Sequence, residues 1–202
     1  MRIGLVGPCD QELALLREAA EFLLGDCEAE QVVYLGNDNA AERLVEQWAS
    51  EIMGGPPGED AFLERAALLA RTGEASEIDA LLARDDAAHR LSDLRQLPPP
   101  PARAVEALED RLVLFIHDKA SLDEEDIANT SLIIYGSASK QRLDRFGSRA
   151  FFCPGPLRSG AVALLDVEDD GKLVLACFDP STGAPREREV LQTRGPRLVV
   201  QT

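Results

Sequence analysis

Apolar residues recur along the chain in two rhythms. Residues 3–6 form a short apolar run of the kind buried in a parallel sheet, and Gly7-Pro8 breaks it. Leu13, Leu16, Ala20 and Leu24 then recur at helical spacing up to Gly25. A second apolar run at 32–35 ends on Gly36-Asn37-Asp38-Asn39. Strand, helix and strand at this spacing predict a parallel pair joined by a right-handed crossover.

From residue 40 onward the rhythm is helical. Asn39 is a candidate cap for a helix with the apolar stripe Leu44, Val45, Trp48 and Ile52, closed by Gly54-Gly55-Pro56-Pro57. A second helix carries Phe62, Ala66 and Leu69 and stops near Gly73. Ser76 is a candidate cap for a third, with Ile78, Leu81 and Leu82. Four prolines at 98–101 exclude helix and favour extended chain. Residues 40–110 are therefore expected to form a helical insertion that leaves and rejoins the sheet domain.

Strand patterns return at 112–116 and 132–135, with Ser121-Leu122-Asp123-Glu124 between them as a capping-box pattern. Further strands are expected near 150–153, 161–167, 173–178, 188–192 and 198–201, with Asp170-Gly171 as a hairpin turn. The expected fold class is α/β: a single domain over 1–202 built as two packed sheets flanked by helices, with the insertion at 40–110.

Charge narrows the partners. The formal net charge is −15, from 36 acidic and 21 basic residues, which repels phosphate backbones and anionic lipid heads. Neither nucleic acid nor membrane insertion is expected. The stretches richest in base, 140–149 and 185–197, are short and hold acids as well. No apolar run approaches the roughly 18 residues that span a bilayer. Cys9, Cys27, Cys153 and Cys177 lie far apart with no C-x-x-C pair, so neither a zinc ribbon nor a redox motif is signalled. A cytoplasmic protein with reduced thiols is the expectation. No G-x-G-x-x-G follows the first strand, which argues against a dinucleotide fold.

Several segments, in order, resemble small calcineurin-like metallophosphoesterases of the archaeal and bacterial phosphodiesterase type. Met1-Arg2-Ile3-Gly4-Leu5-Val6-Gly7 is similar to the family's first strand, and Val33-Tyr34-Leu35-Gly36 to the strand before its second metal-binding Asp. Leu112-Val113-Leu114-Phe115-Ile116-His117 resembles the strand leading to a His-Gly loop. Leu132-Ile133-Ile134-Tyr135-Gly136 resembles the strand before a Gly-His-Thr-His signature. Cys153-Pro154-Gly155-Pro156 stands where the family has an Asn-Pro-Gly-Ser turn, and 161–179 resembles its closing strands. The resemblance covers about half the chain and is carried by order and spacing. It implies the four-layer sandwich of that superfamily, which includes a retromer subunit.

That family holds two metal ions on loops at strand ends, and the resemblance implies that this chain has lost most of the ligands. The family's Asp-x-His falls on Pro8 and Asp10. Proline has no ligand atom, and Asp10 reads as a helix cap before it reads as a substitute ligand. The bridging Asp falls on Asn37, with Asp38 beside it; Gly36-Asn37-Asp38 is a remnant of either the second or the third metal loop. His117 keeps its ligand, but the Gly and His after it become Asp118 and Lys119. The histidines of Gly-His-Thr-His become Ser137 and Ser139. Losing a group that merely supports a ligand costs about 10- to 100-fold in affinity or activity. Five lost groups at the lower bound multiply to about 10⁵, roughly 7 kcal/mol. No cofactor is expected; the alternative is one weakly bound manganese, iron or zinc ion.

The resemblance thus implies a degenerate phosphoesterase acting as a protein-interaction or scaffold module. The insertion is the candidate surface for a protein partner through Trp48, Ile52 and Phe62, weighed against ordinary core packing of the same stripe. Two rivals stand beside it. One is a residual phosphoesterase using Asp10, Asn37, Asp38 and His117 with a single metal. The other is a hydrolase with Cys9 as nucleophile at a helix N-terminus, His117 as base and Asp10 adjacent, weighed against a thiol that simply packs.

Overall fold

The computed structural model describes residues 1–109 and 111–192. Among these, eleven strands form two mixed sheets. The first contains β1 (Arg2–Val6), β2 (Gln31–Tyr34), β3 (Leu94–Gln96), β9 (Val162–Val167), β10 (Leu173–Phe178) and β11 (Pro185–Gln192), in the order β11-β10-β9-β1-β2-β3. The second contains β4 (Ala104–Leu108), β5 (Arg111–Ile116), β6 (Leu132–Tyr135), β7 (Arg142–Phe146) and β8 (Arg149–Cys153), in the order β4-β5-β6-β8-β7. Parallel pairing joins β1, β2 and β3 in one sheet and β5, β6 and β8 in the other.

Side-chain alternation sets the layers. Ile3, Leu5 and Val33 of the first sheet meet Phe115, Ile134 and Phe152 of the second in the central core. The opposite faces of β1 and β2, with Val6, Val32 and Tyr34, receive Leu16 and Ala20 of α1 (Leu13–Glu21) and Leu44 of α2 (Ala40–Met53). The outer face of the second sheet, with Leu114, Ile116 and Tyr135, is covered by Leu122 and by Ile127 of α5 (Glu124–Asn129). The result is four layers, helices-sheet-sheet-helix. Strands buried on both faces read as continuous apolar runs, which is why β1, β2, β5 and β6 are plain in the sequence.

The expected 40–110 insertion divides differently. α-Helices fill it to residue 89, as α2, α3 (Glu59–Thr72) and α4 (Ala75–His89), and a 3-10 turn at Arg90–Asp93 follows. They form the crossover from β2 to β3, and β3 pairs with β2 through Val32↔Leu94 and Tyr34↔Gln96. Residues 104–108 are β4, the edge strand beside β5. β7 was likewise not expected; three of its five residues, Arg142, Asp144 and Arg145, are charged, as suits an edge. The strand expected at 198–201 lies outside the described residues.

Three expected caps move. Asp10 adopts φ 51 ahead of α1, whose cap position is Glu12. Glu74, not Ser76, precedes α4, and its N–H donates to the Glu77 carboxylate at 2.9 Å. Ser121 instead lies in a tight turn and donates its hydroxyl to the Asp118 carbonyl, leaving Asp123 to form a reciprocal box with Asp126 at 2.8 and 3.0 Å. Asn39 stands at the α2 cap position, but its side chain makes no capping bond. Gly54 ends α2 as foreseen, in the left-handed region at φ 64.

The sheets approach closely where β2 and β6 end. A Cβ placed on Gly136 would lie 2.2 Å from the Leu35 carbonyl oxygen, so only glycine admits this approach. Gly136→Ala is expected to destabilise the protein by about 2–3 kcal/mol, the cost of overpacking a closed contact. Urea unfolding checks this, and a midpoint equal to the parent's would contradict it.

Candidate functional site

The four strands β1, β2, β5 and β6 deliver their following loops to one rim, the place where α/β sheets ordinarily bind ligands. Backbone bonds tie these loops together: Leu35 N–H to the Val6 carbonyl at 2.8 Å and Gly136 N–H to the His117 carbonyl at 3.0 Å. The Cys153–Pro156 turn closes over the first loop. Leu157 N–H donates to the Pro8 carbonyl at 2.9 Å, and a Cβ on Gly7 would meet the Gly155 oxygen at 1.7 Å.

His117 follows β5 and is 8% exposed. Its Nδ1 lies 3.1 Å from the Leu35 carbonyl oxygen and its Nε2 lies 3.1 Å from the Pro98 carbonyl oxygen. A neutral imidazole donates one of these bonds and an imidazolium donates both. In either form both ring nitrogens face carbonyls, so ligating a metal requires turning the ring out of its socket.

The acids of the rim have neighbours of their own. Asp10 is exposed, and its Oδ2 lies 3.1 Å from Nη1 of Arg158, which reaches in from the loop after β8. Asp38 accepts the Ala40 N–H at 3.2 Å, taking the capping bond that Asn39 leaves, and accepts from Gln11 Nε2 at 3.0 Å. Gln11 in turn accepts from Arg43 Nη1 at 2.5 Å. Asn37 is exposed. The Asp118 carboxylate accepts the Ala120 N–H at 2.9 Å; that bond first, and the Ser137 hydroxyl second, hold its pKa below the usual 3.8. Ser137 and Ser139 are exposed, and the Lys119 ammonium lies 5.5 Å from the centre of the Tyr135 ring.

Cys9 is buried, and its partner is Tyr34 rather than an imidazole. The Cys9 N–H donates to the Tyr34 hydroxyl at 3.1 Å, and that hydroxyl donates to Cys9 Sγ at 3.3 Å. Burial first, then this contact, pushes the Tyr34 phenol well above its ordinary 10. The same hydroxyl lies so close to Gly36 that a Cβ there would be 2.3 Å away. Tyr34 therefore lies across the end of β2, between the first two loops.

The rim thus gathers pairs: Asp10 with Arg158, Asp38 with Gln11, and Asp118 with Ser137. Among the described residues, no three His, Cys, Asp or Glu side chains converge in a way that could hold a metal ion. Sequence reasoning missed Tyr34, Gln11, Arg43, Pro98 and Arg158 as rim residues. Tyr34 carried one signal, a polar tip at the end of a buried strand that needs a partner; the others are joined to the rim only by the folded chain.

The three residues proposed for partner contact separate. Trp48 is half-buried against the core, with the Arg17 guanidinium 4.8 Å from its ring. Ile52 is half-buried on α2. Phe62 lines a cavity of about 430 Å³ between α2, α3 and α4. No helix among the described residues is long and apolar enough to cross a membrane.

This four-layer arrangement, with its loops at one strand-end rim, is the fold of the calcineurin-like phosphoesterases. YfcE, a phosphoesterase from E. coli, superposes with a TM-score of 0.54 at 15% identity, covering 95% of this chain and 100% of that one. A predicted phosphoesterase from Streptococcus pneumoniae TIGR4 gives 0.53 at 11% identity, over 94% and 97%. Vps29 from Entamoeba histolytica, complexed with zinc, gives 0.50 at 13% identity, over 95% and 100%. No protein-family model matches the chain, and no curated protein is significantly similar to it in sequence.

Replacing His117 with Leu leaves the Leu35 and Pro98 carbonyls unpaired beside a buried side chain. The expected cost is about 1–3 kcal/mol, from the loss of at least one bond to a buried carbonyl. Thermal and urea unfolding of His117→Leu measure it; stability within experimental error of the parent would show that the socket does not hold the rim.

Proposed function

We propose that this chain is a non-catalytic protein-interaction module built on the phosphoesterase fold. The observation that carries the reading is the socket of His117, whose two ring nitrogens each face a backbone carbonyl at 3.1 Å. The residues present do not fit a two-metal centre. Such a centre needs two ions about 3.5–4 Å apart, each with several anionic or imidazole donors. Here Pro8 has no ligand atom, Ser137 and Ser139 replace imidazoles on the resemblance, and Asp10 and Asp38 are engaged by Arg158 and Gln11.

The Cys9 alternative finds less support. A nucleophile needs a base within hydrogen-bond reach, and the group at Cys9 Sγ is the Tyr34 hydroxyl.

Protein purified without chelator, assayed for metal and for hydrolysis of a generic phosphodiester with added manganese, tests the reading. Substoichiometric metal and turnover at the blank rate are expected. Stoichiometric manganese, iron or zinc, with hydrolysis that disappears in His117→Ala, would establish an active phosphoesterase instead.

A further inference from the structure

α3 is a helix of 14 residues with none of them buried, although it carries Phe62, Leu63, Leu68 and Leu69. An ordinary surface helix buries one apolar stripe. Here Leu63 is 53% exposed, and on α4 Leu82 is 49% and Ile78 38% exposed. Helical spacing puts Leu63, Ala66, Ala67 and Ala70 on one face of α3, and Ile78, Leu82, Asp85 and His89 on one face of α4. α3 and α4 pack against each other as a hairpin joined through Gly73 and Glu74, so the two faces form one strip. It runs into the cavity of about 430 Å³ whose floor includes Met53, Phe62 and Ala88.

Charge is sorted across this hairpin. Residues 59–89 hold eight acids against three arginines, a net of −5. Two of those arginines, Arg65 and Arg84, line a separate cavity on the other flank, with Leu68 and Leu81. The acids lining the Leu63 cavity are Glu59 and Asp85, and His89 Nδ1 lies 2.9 Å from the Asp85 backbone carbonyl and 3.5 Å from its carboxylate. Arg71 falls on the same face of α3 as Leu63 and Ala67, and the acids of the hairpin outnumber it around the strip.

We infer that the α3–α4 face docks a basic amphipathic helix of a partner protein. An apolar groove between two helices accepts a third through anchors at i, i+3, i+4 and i+7. The 14-residue length of α3 gives a floor of about 21 Å, enough for a partner helix of about four turns. Basic residues flanking the anchors complement Glu59 and Asp85 and suppress wrong partners. A second copy of this chain would bring the same excess of acids against itself, and like charges across an interface are unfavourable. The inference rests on the scaffold reading and names its partner's chemistry.

The test uses the whole protein and a fluorescent Leu/Lys amphipathic peptide of about 18 residues, five helical turns, with leucines at i, i+3, i+4 and i+7. Its control is the same composition with the leucines scattered. Anisotropy is expected to show binding of the amphipathic peptide at least tenfold tighter than of the scattered one. Leu63→Ser with Leu82→Ser should weaken it at least tenfold. Glu59→Gln with Asp85→Asn should weaken it severalfold and flatten its salt dependence. Leu68→Ser, on the other flank, should leave it unchanged. Leu63, Leu68, Leu82 and Glu59 are exposed and Asp85 is half-buried, and circular dichroism verifies that each variant is folded. Equal binding of the two peptides, or binding indifferent to Leu63→Ser with Leu82→Ser, overturns the inference. So does a dimer of this chain that dissociates in Leu82→Ser, which would assign the face to self-association. Metal content and phosphodiester hydrolysis, measured on the same sample, separate this failure from that of the scaffold reading: a metal-free, inert protein that ignores the peptide refutes the partner chemistry alone.

Discussion

The carbonyl group of Leu35 joins the two sheets at their strand-end rim. From one side it receives Nδ1 of His117, the residue after β5; from another the backbone of Gly136, after β6, presses against it so closely that no Cβ fits. The second nitrogen of the same ring reaches Pro98, beyond β3. One imidazole of the second sheet thus lies between carbonyls that follow two strands of the first. A hydrogen bond of this kind contributes a net of about 1 kcal/mol when made, but leaving a buried carbonyl unpaired costs about 1–3 kcal/mol. This asymmetry favours keeping the ring in its socket, and the proposal of a non-catalytic module rests on it, because His117 is the histidine that the resemblance aligns with a metal ligand.

The rest of the rim follows the same logic of local satisfaction. Tyr34 occupies the space between the first two loops with an aromatic ring whose hydroxyl exchanges hydrogen bonds with Cys9. Asp10 and Asp38 have Arg158 and Gln11 as neighbours. A metal centre needs its donors to converge and their charges to repel until the cation arrives. Here each acid has an internal partner, and the loops close on one another. The helical crossover between β2 and β3 shows the contrary pattern: an apolar strip left open among an excess of acids.

Much of the architecture was legible because the inner strands are buried on both faces. The apolar runs at 3–6, 32–35, 112–116 and 132–135 correspond to β1, β2, β5 and β6, and Asp170-Gly171 does turn β9 into β10. β3 escaped notice because it has only three residues; β7 did so because an edge strand is protected by charge rather than marked by hydrophobicity. Caps were misplaced where a better local bond existed: Ser121 satisfies the Asp118 carbonyl, so Asp123 begins α5. At the rim, the resemblance drew attention to Pro8, Asp10, Asn37, His117, Ser137 and Ser139, but not to what each touches. Pro98 and Arg158 meet His117 and Asp10 only through tertiary folding, and no spacing in the sequence announces them.

The central claim is that the rim is held shut by its own bonds and offers no seat for a divalent cation. Amide NMR spectra recorded while manganese is added test it directly, because the paramagnetic ion broadens signals near its binding site. The account predicts that the signals of Gly36, His117 and Gly136 keep their intensity at one equivalent of manganese. Selective disappearance of those three signals, abolished by His117→Ala, would contradict it.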